Sequence, residues 1–493
     1  MSFEVPGPRD GAAHGAGRPA APGDEKRTEA VAMSAVEVTL DLLRRYDRPG
    51  PRYTSYPTAV EFHGGFDERA YREHLARAAA QSDAPLSLYL HLPFCEERCT
   101  FCGCMVIITR KREVAARYLE YLHREIALLA EHLRGRRRVV QYHWGGGTPT
   151  YLAVEQMEAL QETVARHFDI QPGAEVAIEV DPRVTSFAQL ETLRSLGFNR
   201  LSMGVQDFTP AVQEAVNRVQ GEAQTRALFD RARELGYVSI NVDLIYGLPL
   251  QTLESFGRSV DTVIGMRPDR VAVYSFAHVP WIRGNQRRLR PEDLPSPETK
   301  LSLFVAARNR FLDAGYQPIG MDHFALPGDE MARAARARTL HRNFMGYTVK
   351  PAPDMLGAGV SAIGDVAGAF AQNVKKLSLY YPALDAGRFP IERGYRLTPD
   401  DHVRRHVITQ LMCNFHLDGA AVSGRFGIDF DSYFARELEE LRVGPLADGF
   451  LEMDEGRIDL TPRGRLFVRN VCMVFDRHLR EKAAATPVFS RTV

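Results

Sequence analysis

Four cysteines crowd into one short stretch, Cys95-Glu-Glu-Arg-Cys99-Thr-Phe-Cys102-Gly-Cys104. The thiolate is the form that binds metal, and neighbouring thiolates repel unless a cation neutralises them. The stretch therefore reads as a metal-binding loop, with a redox-active disulfide pair as the weaker alternative. Zinc asks for a closed tetrahedron of four ligands, but the single residue between Cys102 and Cys104 is too short a spacing for both sulfurs to reach one centre. Cys95, Cys99 and Cys102 are expected to converge, with Cys104 aimed elsewhere. Iron–sulfur clusters take thiolates at such spacings, and three protein ligands on a cubane leave one iron open to an outside ligand. Cys413 and Cys472 stand far from the others and read as small buried hydrophobes.

The elements that must position this loop are legible from leucine 86 onward. Short β-rich runs, LSLYLHL (86–92), VVQYHW (139–144), EVAIEV (175–180), RLSMGV (200–205), SINVDLI (239–245) and RVAVYSF (270–276), alternate with amphipathic stretches. In the first stretch Val114, Tyr118, Leu119, Leu122, Ile126 and Leu129 share one face at helical spacing. Alternation of this kind, with strands that look near-continuously apolar, means a parallel sheet covered by helices. Polar and glycine-rich residues gather at the end of every strand: the cysteines, GGGTPT (145–150), DPR (181–183), Gln206-Asp207, YGLP (246–249) and Ala277-His278. In a partial (β/α)6 TIM-like barrel these loops converge on one face, where such folds carry their sites.

Beyond about residue 397 the texture changes to helical segments around 401–414, 431–441 and 462–479, with a hairpin signal in FLEMDEGRIDL (450–460). This reads as a mainly helical, winged-helix-like C-terminal domain. Without a basic stripe to mark a recognition face, it reads as a cap on the barrel and not as a nucleic-acid reader. The expected organisation is a disordered tail (1–34), an N-terminal arm (35–85), the barrel with an extension (86–385) and the C-terminal domain (386–493). The tail is rich in Gly, Ala, Pro and charge, cannot offset its ordering entropy, and lacks the apolar segment of a targeting peptide.

The composition narrows the function classes. Lys and Arg number 62 against 62 Asp and Glu in 493 residues, which excludes a globally basic nucleic-acid binder and an acidic disordered chain. No apolar run is long enough for a transmembrane helix. Six cysteines are too few and too unevenly spread for a secreted disulfide scaffold.

The spacing CxxxCxxC resembles that of radical S-adenosylmethionine (SAM) enzymes. The longer set of motifs is PRYTSYPTA, YLHLPFC, CTFCGC, HWGGGTPTYL, IEVDPR, LSMGVQDF, VQEAVNRVQ, DLIYGLP, MDHFA, LHRNFMGYT and RNVCMVFD. Together these resemble the oxygen-independent coproporphyrinogen III oxidases of that superfamily over nearly everything after about residue 47. The resemblance implies a radical SAM barrel and one 4Fe–4S cluster on Cys95, Cys99 and Cys102. It also implies two SAM molecules, and oxidative decarboxylation of two propionates of coproporphyrinogen III to give protoporphyrinogen IX through a 5′-deoxyadenosyl radical. Tyr89, Gly146 and Glu179 match positions around the first SAM. Phe101, Gly147, Thr148, Gln206, Arg218 and Asp243 match positions around the second, and Ala277 and Ile363 match positions giving apolar or backbone contacts. Cys104 matches a residue needed for activity without being a ligand.

Residue chemistry supports some of these positions independently. The glycines let a ligand approach the backbone closely, and a carboxylate at Glu179 or Asp243 in an apolar strand is costly unless paired or facing a site. Tyr89 reads equally as an aromatic anchor, Phe101 as a cluster shield, and Arg218, without the resemblance, as a solvated helix charge. A tetra-anionic substrate needs local positive charge, for which Arg52, His341 and Arg342 are candidates. Glu96 and Glu97 make the spacer unexpectedly acidic beside an anionic cluster, so they are expected to face solvent or tune its potential. The resemblance further implies a low-potential electron donor of flavodoxin or ferredoxin type, a cytoplasmic monomer, and neither nucleic acid nor membrane as partner. One rival is the haem chaperone of the same superfamily, which lacks the fourth cysteine and carries an HNxxYW-type motif where this chain reads HRNFMGYT. A second rival is a zinc-binding nucleic-acid module.

Overall fold

The computed structural model describes residues 40–482, so the tail expected at 1–34 lies outside the described residues. Six strands, Leu86–Leu92, Arg138–Gly146, Asp169–Val180, Arg200–Gln206, Ser239–Tyr246 and Arg270–Ser275, pair in succession and in parallel. Helices Arg112–His132, Val154–His167, Phe187–Ser195, Glu222–Glu234, Leu253–Met266 and Pro297–Asp313 follow them in turn. This is the expected partial (β/α)6 barrel.

One expectation needs correction: the strands are not near-continuously apolar. In the third strand Val176, Ile178 and Val180 are buried in the main hydrophobic core. The alternate residues Glu175, Ala177 and Glu179 line a lumen cavity of about 180 Å³. Gln141 and His143, Ser202, and Asn241 and Asp243 line the same cavity from neighbouring strands. Successive side chains of a strand point to opposite faces, and in an incompletely closed sheet the concave face encloses space for a ligand. The start of the strands is sealed by charge. Arg270 Nε lies 3.0 and 3.1 Å from the two Asp329 oxygens, its Nη2 lies 3.0 Å from Glu330 Oε1, and Arg200 pairs with the same Glu330.

The sheet also runs past six strands, to twelve. Asp354–Ala358 adds in parallel beside the first strand, and Ile363–Val366, Ala369–Asn373 and Ile391–Arg396 continue antiparallel from it. These segments are short, and three of the four contain glycine, which left them without a sequence signal. The boundary expected at 386 falls inside this sheet, because Ile391–Arg396 is still hydrogen-bonded to Ala369–Asn373. The extension is fastened by buried Glu125 of the first helix. Its carboxylate accepts from Gly359 N–H at 2.7 Å, Asn373 Nδ2 at 2.6 Å and Tyr380 Oη at 2.5 Å.

From Pro399 the chain forms helix Pro399–Asn414, a three-stranded antiparallel sheet and further short helices. The hairpin expected at 450–460 is present as Leu451–Asp454 and Arg457–Leu460, turning through Glu455 and Gly456 at φ of 44° and 77°, the paired left-handed conformation of a tight hairpin turn. The C-terminal elements share a second core with Ile319 and Ala325 of the sheet edge and with Met331 and Ala332 of the floor helix Glu330–Arg336. They therefore brace the edge and floor of the barrel, and Leu466, Phe467 and Arg469 line a cavity with Tyr246 and Ser275, the last residues of the fifth and sixth strands. The N-terminal arm is tied to them as well: Arg469 Nε donates to Pro51 O at 2.9 Å, and Tyr53 Oη donates to Asp476 at 2.9 Å.

Removing the Glu125 carboxylate would strand three donors. At roughly 1–3 kcal/mol for each buried unsatisfied group, Glu125→Ala is expected to cost about 3 kcal/mol or more in urea unfolding, and Glu125→Gln clearly less. A loss under about 1 kcal/mol would contradict the anchoring role.

Candidate active site

The cysteine loop leaves the first strand and is bonded at once to the glycine loop that leaves the second. Gly147 N–H donates to Leu92 O at 2.9 Å, and Thr148 N–H to Phe94 O at 2.8 Å. Thr148 Oγ1 lies 3.4 Å from Cys95 Sγ. This approach requires glycine. A Cβ on Gly147 would stand 2.6 Å from the Pro93 carbonyl carbon, and one on Gly146, at φ 114°, would stand 2.5 Å from the His91 ring.

Two guanidinium groups face the sulfurs. Arg218 Nη1 lies 3.6 Å and Arg183 Nη2 3.8 Å from Cys99 Sγ. Both arginines are held by one carboxylate, Asp181, at 3.0 and 2.7 Å. Burial works against ionised Asp181, but Arg218 and Arg183 outweigh it and keep its carboxyl below the usual range. Burial pushes the Cys95 thiol up to about 11, so metal binding must displace its proton. Cys102 is held below the ordinary thiol range, chiefly by a hydrogen bond with the Cys104 thiol. Cys104 itself is exposed. The acidic spacer turns outward, Glu96 pairing with Arg112 and Glu97 with Arg110, each at 2.5 Å. A further cavity of about 850 Å³ opens on Cys95, Thr148, Asp181 and Arg183.

Among the described residues no three His, Cys, Asp or Glu side chains are gathered to hold a single metal ion. An iron–sulfur cubane takes one thiolate on each of several irons, so its ligands need not converge on one atom. A three-thiol loop with two guanidinium groups beside it fits such an anionic cluster in its donor chemistry.

On the lumen side, the Tyr89 hydroxyl lies 3.0 Å from His91 Nδ1, and its ring stacks on His143 at 5.9 Å. His91 Nε2 in turn lies 3.1 Å from Met105 O, joining the first strand to the far end of the cysteine loop. Glu179 accepts from Gly146 N–H at 3.1 Å and stands 3.4 Å from His143 Nε2. Burial opposes its ionisation, but His143 and the Gly146 N–H hold its carboxyl below the ordinary range. Asp243 lies in the same cavity, shifted in the opposite direction. Burial, with the Glu179 charge nearby, raises it to about 7 despite hydrogen bonds from Asn241 at 2.8 Å and Ser202 at 3.2 Å.

Gln206 sits at φ 70°, and its Oε1 is buried without a partner, as is Arg218 Nε. Phe101 packs on Val212, Val216 and Phe276. The Ala277 carbonyl accepts from Gln286 at 3.0 Å. Ile363 packs with Phe62 and Phe370 on the sheet extension, with its backbone against Gly357, the register partner of Tyr89. The residues expected to carry substrate charge lie away from the cysteine loop. Arg52 is paired with Asp322. His341 and Arg342 belong to a hairpin whose Asn343 and Thr348 bond to Gln141 and Glu175 in the lower lumen. Sequence reasoning missed His91, His143, Asp181, Arg183, Asn285 and Gln286 as individual residues. Two of these carried a usable signal, since His91 and His143 follow the lumen-facing alternation.

The barrel and its cysteine loop define a radical SAM enzyme. Residues 89–263 match the radical SAM superfamily, and 397–467 match the HemN C-terminal domain. An oxygen-independent coproporphyrinogen III oxidase of Escherichia coli is 47% identical over 464 residues, covering 94% of this chain and 100% of the relative. A protein of the same name from Pseudomonas aeruginosa is 47% identical over 452 residues, covering 91% of this chain and 97% of the relative. A solved structure described as coproporphyrinogen III oxidase (HemN) from Escherichia coli, a radical SAM enzyme, superposes with a TM-score of 0.85. It is 46% identical and covers 90% of this chain and 100% of that one. The chain belongs to the family of oxygen-independent coproporphyrinogen III oxidases.

The raised Asp243 carboxyl has a consequence for stability. Its folded value of about 7 stands above the ordinary unfolded value of about 3.9, so the folded chain binds this proton more tightly. The stability it contributes is complete below about pH 4 and is lost as pH rises through about 7. Denaturant unfolding of the cofactor-free chain between pH 5 and 8 should show this decline, and Asp243→Asn should flatten it. An unchanged slope in the variant would contradict the assignment.

Proposed function

We propose that this chain removes two propionate carboxylates of coproporphyrinogen III as CO2, without oxygen, to give protoporphyrinogen IX in porphyrin and haem biosynthesis. The observation that carries the reading is the meeting, at one end of the barrel, of a three-cysteine loop, a glycine loop and two lumen carboxylates, Glu179 and Asp243. Cys95, Cys99 and Cys102 would hold a 4Fe–4S cluster. Tyr89, Gly146 and Glu179 would hold a first SAM. Phe101, Gly147, Thr148, Gln206, Arg218 and Asp243 would hold a second, with Ala277 and Ile363 giving apolar or backbone contacts. When bound, the cluster and SAM supply one-electron reductive cleavage of a C–S bond and hence a group able to abstract hydrogen.

The chain's own residues bind and orient. Glu179, kept ionised by His143 and the Gly146 N–H, is an acceptor for sugar hydroxyls. Asp243, near its titration point at neutral pH, can donate as well as accept. The buried Arg218 Nε and Gln206 Oε1, without protein partners, offer a donor and an acceptor suited to a carboxylate and an ammonium group. Each vinyl group formed releases one CO2, one hydrogen atom and one electron. The hydrogen goes to the abstracting group and the electron to an external acceptor. Electrons for cleavage would come from a flavodoxin- or ferredoxin-type donor. The reading is of a monomer in the cytoplasm, where thiols stay reduced. Among the described residues no helix is long and apolar enough to cross a membrane.

The test is anaerobic reconstitution followed by incubation with SAM, a low-potential reductant and coproporphyrinogen III. The expected result is protoporphyrinogen IX with CO2 and methionine. Stable haem binding without decarboxylation would overturn it in favour of the chaperone. Cys104→Ser is expected to keep the iron content and lose product formation, and loss of iron would overturn its non-ligand role.

A further inference from the structure

The segment that follows the sixth barrel strand folds back over the cysteine loop. Asn285 Nδ2 lies 2.9 Å from Thr100 O, 3.0 Å from Cys102 O and 3.3 Å from Cys99 O. Its neighbour Gln286 is buried at 2% exposure. Gln286 Nε2 donates to Ala277 O at 3.0 Å and Phe101 O at 3.3 Å, and its Oε1 accepts from Val279 N–H at 2.6 Å. Consecutive carbonyls from Cys99 to Cys102 are therefore held by two adjacent carboxamides.

Two main-chain bonds complete the arrangement, Thr100 N–H to Val216 O at 3.0 Å and Cys102 N–H to Cys99 O at 3.3 Å. In a planar trans peptide the N–H points opposite to the C=O. Drawing the Thr100 and Cys102 carbonyls toward Asn285 thus turns the Phe101 and Gly103 N–H groups away from it. The orientation of N–H donors around thiolate ligands is one of the levers by which a protein tunes an iron–sulfur cluster. Simple loop packing would not need donors on four successive carbonyls, nor a buried carboxamide joining Phe101 to Ala277.

We propose that Asn285 and Gln286 are positioning residues that fix the peptide orientation of the cysteine loop, and through it the potential and retention of the cluster. The proposal rests on the reading of Cys95, Cys99 and Cys102 as cluster ligands. Among the described residues the two carboxamides hydrogen-bond to backbone groups, and they act through the loop they hold.

The test uses the full chain, reconstituted anaerobically, as wild type, N285A, N285D, Q286E and R287A. Arg287 is exposed on the same turn, and among the described residues its side chain donates to Pro280 O at 3.3 Å and does not bond to the cysteine loop. Aspartate and glutamate keep the shapes of the originals but lack the donor hydrogens. The measurements are iron content, midpoint potential by EPR-monitored titration, and the rate of iron loss to a chelator, with thermal melts alongside. N285A, N285D and Q286E are expected to shift the potential and to lose iron on the order of fivefold faster, the factor for one net hydrogen bond. R287A should match wild type. If Q286E gives no cooperative melt, the two Asn285 variants carry the test. Wild-type potential and iron retention in both Asn285 variants would overturn the proposal, as would an equal shift in R287A. A wild-type chain that takes up no iron would instead overturn the ligand reading beneath it.

Discussion

Clustered thiolates repel one another, and two guanidinium groups held beside Cys99 by a single carboxylate answer that repulsion. Asp181 follows the end of the third strand, and Arg218 follows the short helix Pro210–Ala215 after the fourth. Their meeting depends on strand ends that share one rim, and a parallel barrel supplies that rim. The carboxylate orients both arginines but balances only one of their charges, so the excess is positive where an anionic cluster would sit. The glycine loop adds the second half of the constraint, because a side chain at Gly147 would collide with backbone at Pro93 and push the cysteine loop away.

Below that rim the lumen sorts its polar groups by depth. Arginines and carboxylates cross-link at the strand starts, where the C-terminal elements and the N-terminal arm brace the barrel from outside. Higher up, Glu179 and Asp243 share one cavity but are shifted in opposite directions, because His143 and a backbone N–H support one carboxylate while burial dominates the other.

The parallel strands, the cysteine loop and the glycine loop were legible because each left a local pattern: a β-rich run, a spacing, or an absence of side chains. The polar lumen was in principle legible too, in the alternation of Glu175, Ala177 and Glu179 with Val176, Ile178 and Val180, but apolar content masked the period of two. The extension beginning at Asp354 was not, since a five-residue strand interrupted by Gly357 carries too little signal. Asn285 and Gln286 show the deeper limit. Their role comes from tertiary contact with a loop some 180 residues earlier in the chain, and nothing in the local sequence marks it. Ile363 and Ala277 were found only through family resemblance, since their chemistry is that of ordinary apolar residues.

The most direct measurement of the central claim is EPR of the reduced, anaerobically reconstituted chain before and after adding SAM. The account predicts one four-iron cluster per chain whose signal changes on SAM addition and is lost in Cys99→Ser. A signal indifferent to SAM, or stoichiometric zinc with no cluster, would contradict it.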